Sequence, residues 1–240
     1  MLARRAAVAV AVQDDYLARC GRAIDELKNS DLLHVEKAEL QATAVDVLAD
    51  PDWVFADIAE RTGLTLASGV REYFFPADRV QVFWYSTSEP DLRGEFCLKH
   101  LHWALLRGEV PQNAFGAVSQ DPAKMEVLGQ LRFLDQEPMA GTGRLTALRI
   151  TPGEDDPQVW LYDTNHERLQ PLDLDYAGYL ENLLVTKGAY GWQYLFADVD
   201  FSEPEFHDAA RHLSDVLRVF PEMFPGHDFA PLQERLEERL

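Results

Sequence analysis

The residue types able to do chemistry are plentiful in this chain, but none stands in the spacing that a familiar reaction needs. There is no G-x-S-x-G turn, so a serine hydrolase has no nucleophile elbow. Gly141-Thr142-Gly143 is followed by Arg144 and lacks the Gly-Lys-Ser/Thr of a phosphate loop, which leaves a hairpin turn. Asp163-x-Asn165-x-Glu167 starts like a calcium loop, yet its sixth position is Arg168 and its twelfth is Leu174, where glycine and glutamate are required. His100 and His102 sit in a stretch whose spacing predicts a helix, where residues two apart point away from each other. His207 and His212 are read as solvent-facing. The acid pairs Asp155/Asp156, Asp173/Asp175 and Asp198/Asp200 are expected by chance among 41 acids, and caps and turns account for them. Cys20 and Cys97 are the only cysteines; with no CxxC they make neither a zinc site nor a disulfide framework, and a reducing cytoplasm is the expected compartment. The residues thus give no catalytic set, no metal set and no cofactor, and an enzyme of unrecognised type stays an open alternative.

Charge and aromatic content say more. The 240 residues carry 22 Lys and Arg against 41 Asp and Glu, a net charge of −19. Such a surface repels phosphate backbones and anionic lipid, which argues against nucleic-acid and membrane partners and favours a basic protein. Aromatic residues cluster at Phe74-Phe75, Phe83-Trp84-Tyr85 and Tyr190 to Phe196. Trp84 and Trp192 read first as core, because large rings bury well. The functional reading is an aromatic anchor in a cleft rimmed by acids, as protein interfaces favour. Tyr85, Tyr190 and Tyr194 are the tyrosines expected to be exposed.

The elements that must carry these residues follow from periodicity. Leu17, Cys20, Ile24 and Leu27 mark one helix face, and Val35, Ala38, Ala42, Val45 and Leu48 extend the pattern with Asp31 as a cap. Trp53 to Arg61 is a helix ending at Gly63. Val80, Val82 and Trp84 alternate as a strand, and Phe96 to Arg107 returns to helix. Residues 109–130 read as a long irregular connection. A meander follows, with strands at Gln130–Leu134, Leu145–Ile150, Val159–Tyr162 and Arg168–Leu172. Asp173 or Asp175 caps a helix from Tyr176 that closes at Lys187-Gly188, and Phe206, Ala210, Leu213, Leu217 and Phe220 lie on one stripe of a last helix. Arg4, Arg5 and the run Ala6 to Val12 read as a short leader and not as an export signal. The expected class is α+β: a mostly antiparallel, twisted sheet of about four to six strands with helices packed against it. Residues 1–51 form an N-terminal helical region, 52–196 the α+β core, and 197–240 a C-terminal helical extension packed on the core.

The order of elements resembles a known family. Leu64 to Phe74, a strand ending in Phe83-Trp84, Leu131-Arg132-Phe133-Leu134-Asp135, Val159-Trp160-Leu161-Tyr162-Asp163, Leu169-Gln170-Pro171-Leu172 and the helix from Tyr176 to Glu181 together resemble the SUKH superfamily, the SMI/KNR-type proteins, over residues 52–196. Ala67 stands where the family often has proline, and Phe75 to Arg79 lacks its usual glycines. The resemblance implies helices on one side of an antiparallel sheet. It also implies a bacterial immunity protein that neutralises a toxin domain, often a nuclease, or a regulatory scaffold binding endogenous proteins. On charge, aromatic clustering and this resemblance, the partner-binding residues are Tyr85, Glu154, Asp155, Asp156, Asp163, Tyr190 and Trp192, and the partner is a basic protein such as a nuclease toxin domain. The oligomeric state is left open.

Overall fold

Alternation of Val80, Val82 and Trp84 with Gln81, Phe83 and Tyr85 makes a strand with two different faces, and the structure is built outward from it. This computed structural model describes residues 16–108, 121–151 and 156–240; Glu154, Asp155 and the run Ala6 to Val12 lie outside the described residues. Strand β2 (Ala77–Ser86) is the centre of a three-stranded antiparallel sheet, flanked by β1 (Leu33–Ala42) and β3 (Arg93–Lys99). A second antiparallel sheet of four strands runs in sequence order, β4 (Leu131–Gln136), β5 (Arg144–Arg149), β6 (Gln158–Asp163) and β7 (Arg168–Pro171). The class is α+β as expected, with the strands divided between two sheets.

Helices close both sheets. Residues 16–28 form α1, followed along the chain by α2 (Pro51–Thr62), α3 (Ser68–Glu72), α4 (Leu101–Arg107), α5 (Pro122–Gln130), α6 (Tyr176–Thr186), α7 (His207–Met223) and α8 (Ala230–Glu237). The main core joins Tyr16, Cys20 and Leu27 of α1, Trp84 and Phe96 of the first sheet, Leu148 and Leu161 of the second, Leu180 and Leu183 of α6, and Leu213 and Phe220 of α7. The N-terminal helix, both sheets and the C-terminal helices therefore share one apolar interior. A smaller cluster, Leu128, Leu131, Phe133, Ala147, Trp160 and Tyr162, fills the space between α5 and the far face of the second sheet.

Three elements differ from the periodicity. Val35, Ala38 and Ala42 belong to a strand and not to a helix, and β1 is bulged between Val35 and Lys37. The extra residue shifts the alternation, so Val35 faces Trp84 and Ala38 faces Val82 across the ladder, and a step of three imitates a helix face. Phe96 to Lys99 are strand and only Leu101–Arg107 are helix, since β3 is buried on both faces and its run Phe96-Cys97-Leu98 is apolar without a break. Pro122–Gln130 form a helix capped by Asp121 where an irregular connection was expected, and 109–120 lie outside the described residues. The cap of α6 is Asp175, whose side chain accepts from the Gly178 N–H.

One contact ties the first sheet to the rest. Trp84 is fully buried, donates its indole N–H to the Lys187 carbonyl at 2.7 Å and lies against Phe220 of α7 at 5.8 Å between ring centroids. Gly94, opposite it on β3, makes room for the indole: a Cβ there would sit 2.5 Å from the ring. Gly94→Ala is therefore expected to overpack this position and cost about 1–3 kcal/mol of stability. Urea denaturation would register this, and an unchanged midpoint would contradict the packing.

Candidate functional site

The chain that leaves α6 builds one wall of a cleft. Lys187 and Gly188 adopt left-handed backbone conformations, at φ 54° and 67°, and turn the chain back along β3. Glu95 N–H then donates to Gly188 O at 2.9 Å, and Tyr190 N–H to Arg93 O at 3.0 Å, so residues 188–190 cover the free edge of β3. A Cβ on Gly188 would meet Glu95 O at 2.8 Å, which leaves glycine as the residue for this approach.

Tyr190 and Tyr194 thereby face a cleft of about 770 Å³, closed by Arg93, the turns carrying Thr142, Arg144, Asn165 and His166, and the polar side of α7. Glu89, Asp91, Glu205, Asp208 and Asp215 stand among its lining residues. The guanidinium of Arg144 lies over both tyrosine rings, 5.3 Å from Tyr190 and 5.9 Å from Tyr194, and is held from behind by Glu137 at 3.1 Å. Burial pushes the Glu137 carboxyl up to about 7, even against the attraction of Arg144. Below it, Asp135 accepts from the Cys97 and Gln136 N–H groups and from the Tyr179 hydroxyl, at 2.7–2.8 Å, and burial raises it to about 6. Glu95 accepts from the N–H groups of Met139 and Ala140. Asp135 and Glu95 join the two sheets underneath the cleft, and Glu137 ties Arg144 to the turn at Thr142.

Two histidines belong to the cleft wall. His166 Nδ1 donates to Asp163 at 2.5 Å, and the same carboxylate receives the Tyr194 hydroxyl. Asp163 is buried, so this is an imidazole oriented by a carboxylate, with its other nitrogen left for whatever enters. His212, expected to face solvent, instead bridges two backbones: Nδ1 donates to Tyr190 O and Nε2 accepts from Arg93 N–H, both at 3.0 Å. Accepting at Nε2 needs the neutral imidazole, and burial lowers its pKa to about 4.

The residues expected to bind a partner are only partly gathered here. Tyr190 lines the cleft and Asp163 lies directly behind it, buried as a hydrogen-bond acceptor and not exposed at a rim. Trp192 is fully buried, packed on Tyr179 at 5.0 Å, because the short 3-10 turn Trp192–Phe196 points inward; it is core. Tyr194 is buried likewise, its hydroxyl spent on Asp163. Tyr85 is half-buried against His34 at 5.0 Å, opposite Arg93 across the ladder and outside the cleft wall. Asp156 is exposed before β6, whereas Asp163 ends it, so they lie about 20 Å apart along the strand. Sequence reasoning missed Arg93, Arg144, His166, His212 and the α7 acids. Asp208, Arg211 and Asp215 form the polar side of the stripe Ala210, Leu213 and Leu217, and that pattern could have pointed to them.

Among the described residues no group of three His, Cys, Asp or Glu side chains is placed to hold a metal ion, and no helix is long and apolar enough to cross a membrane. Both thiols are buried, which pushes Cys20 up to about 12 and Cys97 to about 11. No family model, curated protein or solved structure matches the chain.

His212 yields a pH test. The unfolded chain takes up this proton near pH 6.5 and the folded one only near 4, so its contribution to stability is full above 6.5 and is lost as pH falls toward 4. Asp135 and Glu137, with raised values, act in the opposite sense, and only a difference isolates the histidine. Wild type compared with His212→Gln in urea melts is expected to lose relative stability between pH 6.5 and 4; a pH-independent difference would contradict the neutral bridge.

Proposed function

We propose that this chain is a protein-binding module of SUKH type, an acidic immunity protein that neutralises a nuclease-type toxin domain by occluding its basic active site. The observation that carries the reading is the cleft in which acids from two separate segments, 89–91 and 205–215, surround the accessible ring of Tyr190. Three of its rim carboxylates are paired with neighbouring surface arginines, Asp91 with Arg93, Asp208 with Arg211 and Asp215 with Arg218, at 2.7–2.9 Å, while Glu205 is held by Arg168. Exposed pairs of this kind contribute little, so a partner's lysine or arginine can replace the local one at small cost. The net charge of −19 supports the same reading through long-range steering of a basic protein, which raises association rates and fades as salt rises. Tyr190 supplies the desolvated contact, and Arg144 behind it keeps the ring in place. The resemblance to SUKH proteins adds the partner class, and a cytoplasmic location fits the two buried thiols.

An enzyme is the second reading, favoured by the Asp163–His166 pair at the cleft, where the imidazole can serve as a general base.

Affinity capture from source-cell lysate at low and high salt separates the two. The immunity reading expects one basic protein with nuclease activity, inhibited when bound and released as salt rises. With that partner, Tyr190→Ala is expected to weaken binding at least about tenfold through lost anchor contact. The double reversal Asp208→Lys, Asp215→Lys is expected to slow association and flatten its salt dependence. Recovery of a spread of unrelated proteins would favour a scaffold, and full binding by both variants would remove the cleft from the interface.

A further inference from the structure

Among the described residues, no strand pairs with the outer edge of β1. This strand hydrogen-bonds to β2 and stands at the edge of the order β1-β2-β3, while the opposite edge at β3 is covered by residues 188–190. An edge of ten residues that no described strand pairs is long enough to template another strand. Its charges and bulge make it a poor seat for an arbitrary strand, and they define which one fits.

The bulge determines the register. Val35, Ala38 and Leu40 share the face of Trp84, Val82 and Val80, whereas His34, Lys37 and Glu39 share that of Tyr85, Phe83 and Gln81. Glu36 is the extra residue, and its carboxylate reaches His34 at 3.3 Å as Lys37 reaches Glu39 at 2.9 Å, which places both contacts on the outer side. A second β1 laid antiparallel with its two-fold axis between residues 36 and 37 would oppose Val35 to Ala38, His34 to Glu39 and Leu33 to Leu40, matching faces at every pair. Glu36 would oppose Lys37 twice. Shifting that register by one residue on either side sets Glu36 against itself or Lys37 against itself and crosses the faces, and without the bulge the complementary register would cross them too. Leu40, 42% exposed, would be covered by Leu33 of the other copy.

We infer that the edge of β1 is a self-association surface, and that its partner is a second copy of this chain paired antiparallel about the Glu36–Lys37 step. The resulting sheet is continuous over six strands. The cleft lies beyond β3, at the opposite end of each sheet, so both clefts stay open in the dimer, and the inference is independent of what they bind.

Sedimentation equilibrium of the full chain tests it. Twice the chain mass is expected at tens of micromolar. Lys37→Glu places like charges opposite each other at two symmetric positions and is expected to weaken association about tenfold or more. The exchanged pair Glu36→Lys, Lys37→Glu restores the complementarity and is expected to restore the dimer, with thermal melting of each variant verifying the fold. A monomeric wild type, a dimer indifferent to Lys37→Glu, or a folded exchanged variant that stays monomeric would each overturn the inference. Hydrogen exchange of wild type gives a second reading that needs no variant: amides of Leu33–Leu40 should slow as concentration rises, and concentration-independent exchange there would contradict the interface.

Discussion

The buried indole of Trp84 is the constraint on which the functional surface depends. It occupies the space that Gly94 leaves free, and its single N–H needs an acceptor away from water, which the Lys187 carbonyl supplies. That bond draws the end of α6 onto the sheet. Lys187 is itself buried, its ammonium satisfied by Glu26 of α1 and placed near His227 beyond α7. From there the chain can only run along β3, where it pairs through Glu95 and Arg93 and delivers Tyr190 to the cleft. The packing of one tryptophan and the placement of the candidate contact residue are thus two ends of one chain of contacts.

The cleft is set over an interior of unusual polarity. Asp135, Glu137 and Glu95 are buried between the sheets with Arg144 as the cation in direct contact with one of them. Burying a carboxylate is tolerated when its oxygens receive hydrogen bonds, and each of the three has at least two donors. The raised values of Glu137 and Asp135 mean that the folded state holds these protons more tightly than the unfolded chain, so they oppose stability as pH rises from 4.5 toward 7. His212 works against them over an overlapping range. A network of this kind specifies one arrangement of the two sheets, because a shift of either sheet would leave buried carboxylates without their donors.

Much of this architecture is legible in the sequence where one residue type has one job. The meander strands, the Asp175 cap, the turn at Lys187-Gly188 and the stripe of α7 all carry local signals that the tertiary fold leaves intact. Elements lose their signature where the fold adds a constraint from elsewhere. The bulge in β1 converts a two-residue period into a step of three, and β3 is buried on both faces, with Phe96-Cys97-Leu98 an unbroken apolar run, because the second sheet covers what would otherwise be its outer side. The site was legible only through Tyr190 and Asp163. Its other parts, Arg144, His166 and His212, come together from the second sheet, a turn and α7, and no spacing along the chain connects them. Trp192 and Tyr194 show the limit of aromatic clustering as a guide: both rings of the turn Trp192–Phe196 are buried, and the accessible ring is that of Tyr190, whose backbone β3 captures.

The central claim is that binding occurs at the Tyr190 cleft through a basic protein. Hydrogen–deuterium exchange of the chain, free and in complex with its captured partner, reads that claim directly. The account predicts slowed exchange at residues 93–95 and 188–194 and along the first turns of α7, with little change on the α5 side of the second sheet. Protection confined to the α5 side, with the cleft segments exchanging as in the free chain, would contradict it.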